Sequence, residues 1–432
     1  MPEPPLSLDR PILILGGGIN GAAAARELTL NGFSVVLVDQ ADLASGATAY
    51  SSRLIHGGLR YLEYGELSLV RESLAERTRL LQLAPDFVRP LRLFIPVKNQ
   101  LGGLWRSATK FLGMRGGGKP EPRGLTLVRT GLWMYDTYAQ DKTLPLRSIH
   151  KLGEAGVPPV DANAAAWLAA YSDAQIPFPE RFVVALLRDA QKAADENGCT
   201  LRVMTYHRAW LDDGIIHIAP VTQSIKEPPV LSFQPAAIIN ATGVWVDETL
   251  QRLPVTSRRL MGGSKGSHFF TWHPQLKEML GGNGIYTEAA DGRPVFLLPL
   301  AEGTLVGTTD ASFSGDPATA MATDEELDYL VAVVRGIFPA AGVARHDIAW
   351  HYSGIRPLPY VDAQSTAAIT RRHQLVWNES SPIPLLSLIG GKLTTCRSLA
   401  EETAAAVLVR LGESAADVRN SRARVIPGGV LE

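Results

Sequence analysis

Hydrophobic positions change their spacing twice within the first forty residues. Ile12 to Leu15 form an apolar run bounded by Pro11 and Gly16, too short for a helix and suited to a buried strand. "GAAAAREL" follows with strong helix formers, and Asn31-Gly32 ends it. Val35 to Val38 then repeat the short apolar run. Farther along, "RFVVALLRDAQKAADENG" has helical spacing and stops at Asn197-Gly198, with the strand "TLRVMTY" after it. "AAIINATGVWVD" (236 to 247) is a buried strand ending in a glycine loop. "LLSLIGGKLTTCRSLAEETAAAVL" (385 to 408) passes from strand through a double glycine into a helix opening with Thr394 and Thr395. "KGSHFFTW" and "RPVFLLPLAEGTLVGTTD" read as strands of an antiparallel sheet. The stretch "LASGATAYSSRLIHGGLRYL" (43 to 62) obeys neither period, and Gly46, Gly57 and Gly58 would weaken either element.

Composition narrows the class. The 432 residues are 46% hydrophobic and 20% charged, enough chain for two or three domains with substantial cores. A formal net charge of -1 gives no global reason to expect nucleic acid. Two cysteines, Cys199 and Cys396, exclude a disulfide framework or zinc cluster and fit a reducing compartment. No metal site is expected. "MPEPPLSLDR" lacks the apolar core of a signal peptide, and no run of about 18 apolar residues could span a membrane. A cytoplasmic location is the expectation.

Gly16, Gly18 and Gly21 stand in G-x-G-x-x-G register directly after the first strand. Gly16 permits the turn, Gly18 lets backbone approach a pyrophosphate, and Gly21 lets helix and strand pack closely. The helix N-terminus stabilises phosphate charge, and Asp39 at the tip of the second strand can accept hydrogen bonds from a ribose diol. Glycine loops also serve plain packing, but here strand, turn, helix, strand and acid fall in order. NAD and FAD both remain open on this motif. A small, polar run follows Asp39, where an NAD enzyme would usually add another strand and helix, and it suits wrapping around a ligand. Ala241-Thr242-Gly243 and the helix start after Gly390-Gly391 offer further places for backbone to meet a ligand.

"GGGINGA", "DLASGAT", "SSRLIHGGLRYLE", "LVRESLAER", "INATGVWVD", "KGSHF", "GTTD", "YSGIRPLP" and "GGKLTT" together resemble the FAD-dependent glycerol-3-phosphate dehydrogenase family, within the glycine/D-amino acid oxidase-like flavoproteins. The match runs from about residue 12 to residue 400, and "SSRLIHGGLRYL" discriminates far better than the glycine turn. It implies an α/β fold (α+β overall), with a Rossmann-like FAD-binding domain and a discontinuous antiparallel-sheet substrate domain. The FAD-binding part would comprise 9–92, 158–248 and 350–411, and the substrate part 93–157 and 249–349. Residues 412–432 would be a remnant leading to the family's C-terminal helical domain, since the sequence ends at Glu432.

The resemblance implies non-covalent FAD held by Gly16, Gly18, Asn20, Gly21, Asp39 and Gln40 at the nucleotide turn. Ser45, Thr48, Ser51, Ser52, Leu54 and Ile55 would lie along the flavin and pyrophosphate, and backbone near Tyr206 would reach the adenine. Thr242, Gly243, Gly391, Lys392, Leu393 and Thr394 complete the implied set. The implied reaction oxidises glycerol 3-phosphate to dihydroxyacetone phosphate, with electrons passing to a quinone-type acceptor. Its phosphate needs cations, arginine best, and Arg60, Arg356 and Lys392 each lie near a glycine. His56 and His268 are the titratable residues for proton transfer, and Tyr61 shares the substrate side. The division between phosphate clamp and proton acceptor stays open.

Plainer roles compete with these. Arg60 could pair with Glu63, His56 could be a core histidine, Lys392 a solvated loop residue, Arg293 a strand-end arginine, and Cys396 simple packing. A flavin oxidase of another 2-hydroxy acid or amino acid, and a non-catalytic flavin-binding paralogue, are the competing functions. Residues 101–135 carry six Lys/Arg and one acid. Leu104, Trp105, Ala108, Phe111 and Leu112 share one helical face there, with Arg106 and Lys110 off it. That pattern fits a helix on a membrane surface and equally one packed on the protein's own core.

Overall fold

A computed structural model of the protein describes residues 10–100, 124–224, 226–361, 372–414 and 416–428. The short apolar runs pair with one another. Ile12–Leu15 lies parallel between Val35–Val38 and Ala237–Asn240, with all three strands buried. Leu201–Met204 extends one side in parallel and Leu385–Ile389 the other, and Gln374–Trp377 closes that side antiparallel. Strands apolar on both faces need cover on both. The helices Ile19–Leu30, Pro179–Asn197 and Cys396–Arg410 cover one face. Ala22 to Ala25, at most 3% exposed, keep the first helix narrow enough for the other two to approach closely. On the other face Leu13, Leu15, Val36 and Ile238 meet Ile216 and Ile218 of a three-stranded antiparallel sheet, His207–Asp212, Ile215–Pro220 and Leu231–Phe233.

The second large sheet holds ten strands among the described residues. Its pairs are antiparallel except Gly284–Glu288 with Arg89–Val97, which run parallel across a long crossover, so it is mixed. Leu54–Ile55 and Trp167–Gln175, both expected in the nucleotide-binding part, pair here through Ile55 opposite Ala174. The segment expected to wrap the ligand therefore runs from one sheet to the other. Trp350–Pro359 pairs along Met261–Thr271 over ten residues, which sets Arg356 opposite Ser264 and Tyr352 opposite His268. The apolar face expected from Leu104 to Leu112 lies outside the described residues. Among them, the helix Leu125–Ala139 carries Trp133, 53% exposed. No helix there is long and apolar enough to cross a membrane.

Candidate functional site

The glycine turn is built by close approach. Gly16 has φ +106°, and a Cβ there would sit 2.6 Å from the Ala241 carbonyl oxygen of the neighbouring strand. A Cβ on Gly21 would come within 1.9 Å of the Gly16 carbonyl oxygen. Asp39 braces the turn: its carboxylate accepts from the Gly17 amide at 2.6 Å and the Ala41 amide at 2.8 Å. Burial raises its proton affinity against those two bonds. Thr48 Oγ1 accepts from the Ile19 amide at 3.1 Å, which ties "SGAT" to the start of the helix. That tie has no signal in the linear sequence.

These parts line a cavity of about 590 Å³, within the usual range for small-molecule sites. Gly16, Gly18, Asn20, Asp39, Gln40, Ser45, Thr48, Ser51, Ser52 and Leu54 all face it. So do Thr242, Gly243, Gly391, Lys392, Leu393 and Thr394. Three residues expected there do not. Gly21 is spent on helix–strand packing. Ile55 is fully buried, because the strand alternation that turns Leu54 to the cavity turns its neighbour into the core. Tyr206, at φ +60° in the turn after its strand, points outward at 54% exposure, and His207 lines the cavity instead. Trp245 and Arg252 also line it without having been singled out, and Arg252 donates to Gln40 Oε1 at 2.8 Å.

His56, Tyr61, His268, Arg356 and Lys392 line the same cavity, whereas Arg60 is not among its lining residues. Lys392 Nζ lies 4.1 Å from the centre of the Tyr61 ring, a cation–π contact. Thr394 holds the backbone of His56, accepting from its amide at 3.0 Å. Burial and then Lys392 push the His56 imidazole down while Asp173 opposes them, for a net value of about 4. His268 is 3% exposed, stacked on Tyr352 at 4.9 Å, with Nε2 2.8 Å from Ser52 Oγ. Burial, Arg356 and Arg53 take it down to about 3. Both imidazoles are therefore neutral at physiological pH.

The arginine fork is already engaged. Arg356 Nη1 donates to Asp310 Oδ1 at 2.9 Å and Ser264 Oγ at 3.0 Å, and Nη2 to Thr308 Oγ1 at 3.0 Å and the Thr309 carbonyl at 2.9 Å. "GTTD" thus supplies Arg356 with its seat, a role that spacing alone does not reveal. Arg53 holds Glu180 with both amino groups, at 2.7 and 3.1 Å, and reaches the Ala49 and Pro177 carbonyls. It pins the wrapping segment to the first turn of the helix Pro179–Asn197. Arg293 is not among the lining residues and is held by Asp291 and the Asp310 carbonyl.

The family model for FAD dependent oxidoreductases matches residues 11–397. The chain belongs to that family. It is 36% identical over 430 residues to glycerol-3-phosphate dehydrogenase from Synechocystis sp., covering 94% of this chain and 71% of the relative. Aerobic glycerol-3-phosphate dehydrogenase of Escherichia coli is 33% identical over 98% of this chain and 77% of its own length. D-erythritol 1-phosphate dehydrogenase of Brucella abortus is also 33% identical, over 90% of this chain and 72% of its own. The crystal structure of glycerol-3-phosphate dehydrogenase from Bacillus halodurans complexed with FAD shares the fold, with TM-score 0.66 at 20% identity over 98% of this chain and 68% of that one. FAD is the cofactor of this oxidoreductase. The residues present fit it: glycines where a Cβ would strike backbone, a helix N-terminus, and an acid at the tip of the second strand.

Proposed function

We propose that the protein oxidises sn-glycerol 3-phosphate at C2 to dihydroxyacetone phosphate and passes the electrons to a quinone-type acceptor at a membrane surface. The observation that carries this is one cavity holding a dinucleotide cradle, two neutral histidines, Lys392 and Arg356. The names of the relatives support the substrate. FAD, held by the glycine turn and the loops around it, would supply the hydride acceptor for C2. Lys392 and Arg356 supply the positive charge that the phosphate requires, Lys392 over the Tyr61 ring and Arg356 from its Thr308–Asp310 seat. His56 takes the proton of the C2 hydroxyl, leaving a carbonyl at C2. His268 serves this step less well, since it sits between Tyr352 and Ser52 and faces two cations.

The relative named for D-erythritol 1-phosphate keeps a longer polyol phosphate in view. Anaerobic bleaching of the flavin absorbance separates the readings. Glycerol 3-phosphate should bleach it within the mixing time of a stopped-flow instrument, and D-erythritol 1-phosphate more slowly. Faster bleaching by the tetritol phosphate moves the substrate to that compound. Bleaching only by a 2-hydroxy acid or an amino acid, or by nothing tried, overturns the phosphate reading altogether.

A further inference from the structure

Behind the turn that presents His56 lies a set of buried charges outside the reaction just described. The pairing of Ile55 with Ala174 puts the next residue on that strand, Asp173, directly beneath Gly57. The Gly57 amide donates to Tyr135 Oη at 2.7 Å and, less closely, to Asp173 Oδ1 at 3.3 Å. Tyr135 Oη donates to the same carboxylate oxygen at 2.7 Å, and Arg77 Nη1 donates to it at 2.9 Å. Arg77 also reaches the Ser172 carbonyl at 2.9 Å and lies 3.6 Å from Asp141. Arg77 and Asp173 are each 2% exposed and Tyr135 1%. A carboxylate this deep is costly unless paired, and here three donors converge on one oxygen. Contact with the turn leaves no slack: a Cβ on Gly57 would fall 2.6 Å from Tyr135 Oη.

The turn is therefore gripped from two sides, by Tyr135 and Asp173 at Gly57 and by Thr394 at the His56 amide. Among the charged groups packed around His56, Asp173 favours a proton there and Lys392 opposes it. Tyr135, Arg77 and Asp141 reach it through Asp173, while Tyr61 lies against Lys392. His268 has the reverse surroundings, with Arg356 and Arg53 as its charged neighbours. The buried anion stands behind one histidine only.

We propose that Asp173, held by Arg77 and Tyr135, is a positioning residue that orients His56 and offsets the positive charge His56 gains on taking the C2 hydroxyl proton. This rests on His56 being the proton acceptor. Asp173→Asn keeps the shape and removes the charge, and Asp141 remains near Arg77. In the holoenzyme its flavin content and KM for glycerol 3-phosphate should stay within about threefold, while kcat falls roughly 10- to 100-fold, part of what a positioned base contributes. The acid limb of the kcat profile should move to lower pH. Tyr135→Phe keeps the ring and loses the bond to Gly57, so kcat should fall about three- to tenfold in the same direction.

The deciding measurement is the double variant. Added to His56→Asn, Asp173→Asn should lower kcat no further, because it acts through the imidazole. Losses that multiply would make Asp173 a structural residue only and overturn the proposal, as would an unchanged kcat in Asp173→Asn. If Asp173→Asn does not fold, Tyr135→Phe decides, and wild-type kcat there overturns the proposal. Wild-type kcat in His56→Asn sinks the proton-acceptor reading itself, a different failure from a slow His56→Asn enzyme beside a normal Asp173→Asn one.

Discussion

Single atoms decide which glycines matter. Gly16, Gly18 and Gly21 look alike in the motif, yet their surroundings differ. A Cβ on Gly21 meets backbone, which cannot move aside, whereas one on Gly18 meets only Thr48 Oγ1 at 3.4 Å. Gly21→Ala should lower unfolding free energy by about 1–3 kcal/mol or more, as overpacking does, seen as a reduced urea midpoint at constant slope. Gly18→Ala should fold normally and keep its flavin, while Gly18→Val, with branches toward the cavity, should purify colourless. A coloured Gly18→Val protein would mean the cofactor lies elsewhere. Arg356→Ala should leave flavin near normal and cost roughly 30- to 1000-fold in kcat/KM for glycerol 3-phosphate, the scale of a lost charge-assisted clamp. Arg356→Lys should recover only part, since a point charge cannot fill both the Asp310 and Thr308 positions. Glycerol, which lacks the phosphate, is the control. An equally deep loss with glycerol would place Arg356 at C2.

At the level of elements, the stretch that frustrates both helical and strand periodicity is the one that shapes the site. Residues 44 to 53 leave the nucleotide sheet, tie back to its helices through Thr48 and through Arg53 and its grip on Glu180, and lead into the second sheet where Leu54 and Ile55 pair with Gln175 and Ala174. Its small residues were legible in the sequence, but its anchors were not, because Thr48 and Glu180 find their partners across the fold. The helix Leu125–Ala139 plays two parts. Its buried side delivers Tyr135 to the turn beneath His56, and its outer side shows Trp133. We expect this outer side, with the basic stretch before it, to meet a membrane surface. The protein should then sediment with anionic vesicles at low salt and be released at high salt or by reversing Arg106 and Lys110. Sedimentation indifferent to those two charges would return the segment to core packing.

For the molecule as a whole, two buried neutral histidines link stability to pH. An unfolded imidazole titrates near 6.5, whereas the folded values lie at about 4 for His56 and about 3 for His268. Below about pH 6.5 the unfolded chain binds protons that the folded one refuses, so the folded state loses stability as pH falls through that window. Asp39 and Glu27, raised by burial, work in the opposite sense. The difference between wild type and His268→Gln isolates one contribution: whatever gap the two melting temperatures show at pH 7.5 should shift in the variant's favour by pH 5.5. A gap constant with pH would mean that His268 titrates in the folded state as it does in the unfolded one. The sequence by itself determined the βαβ unit and its dinucleotide turn, because short apolar runs, a glycine turn and a strand-tip acid act through neighbours a few residues away, while the family resemblance supplied FAD and most of the cavity wall. It also marked Arg356, Lys392, His56 and His268 without assigning their parts. Only the tertiary structure decided that Arg356 sits against Asp310, that Ile55 and Tyr206 turn from the cavity, and that Asp173 stands behind His56. Those outcomes depend on strand pairings between residues far apart in the sequence, and on burial, which sets the strength of every charge in the site.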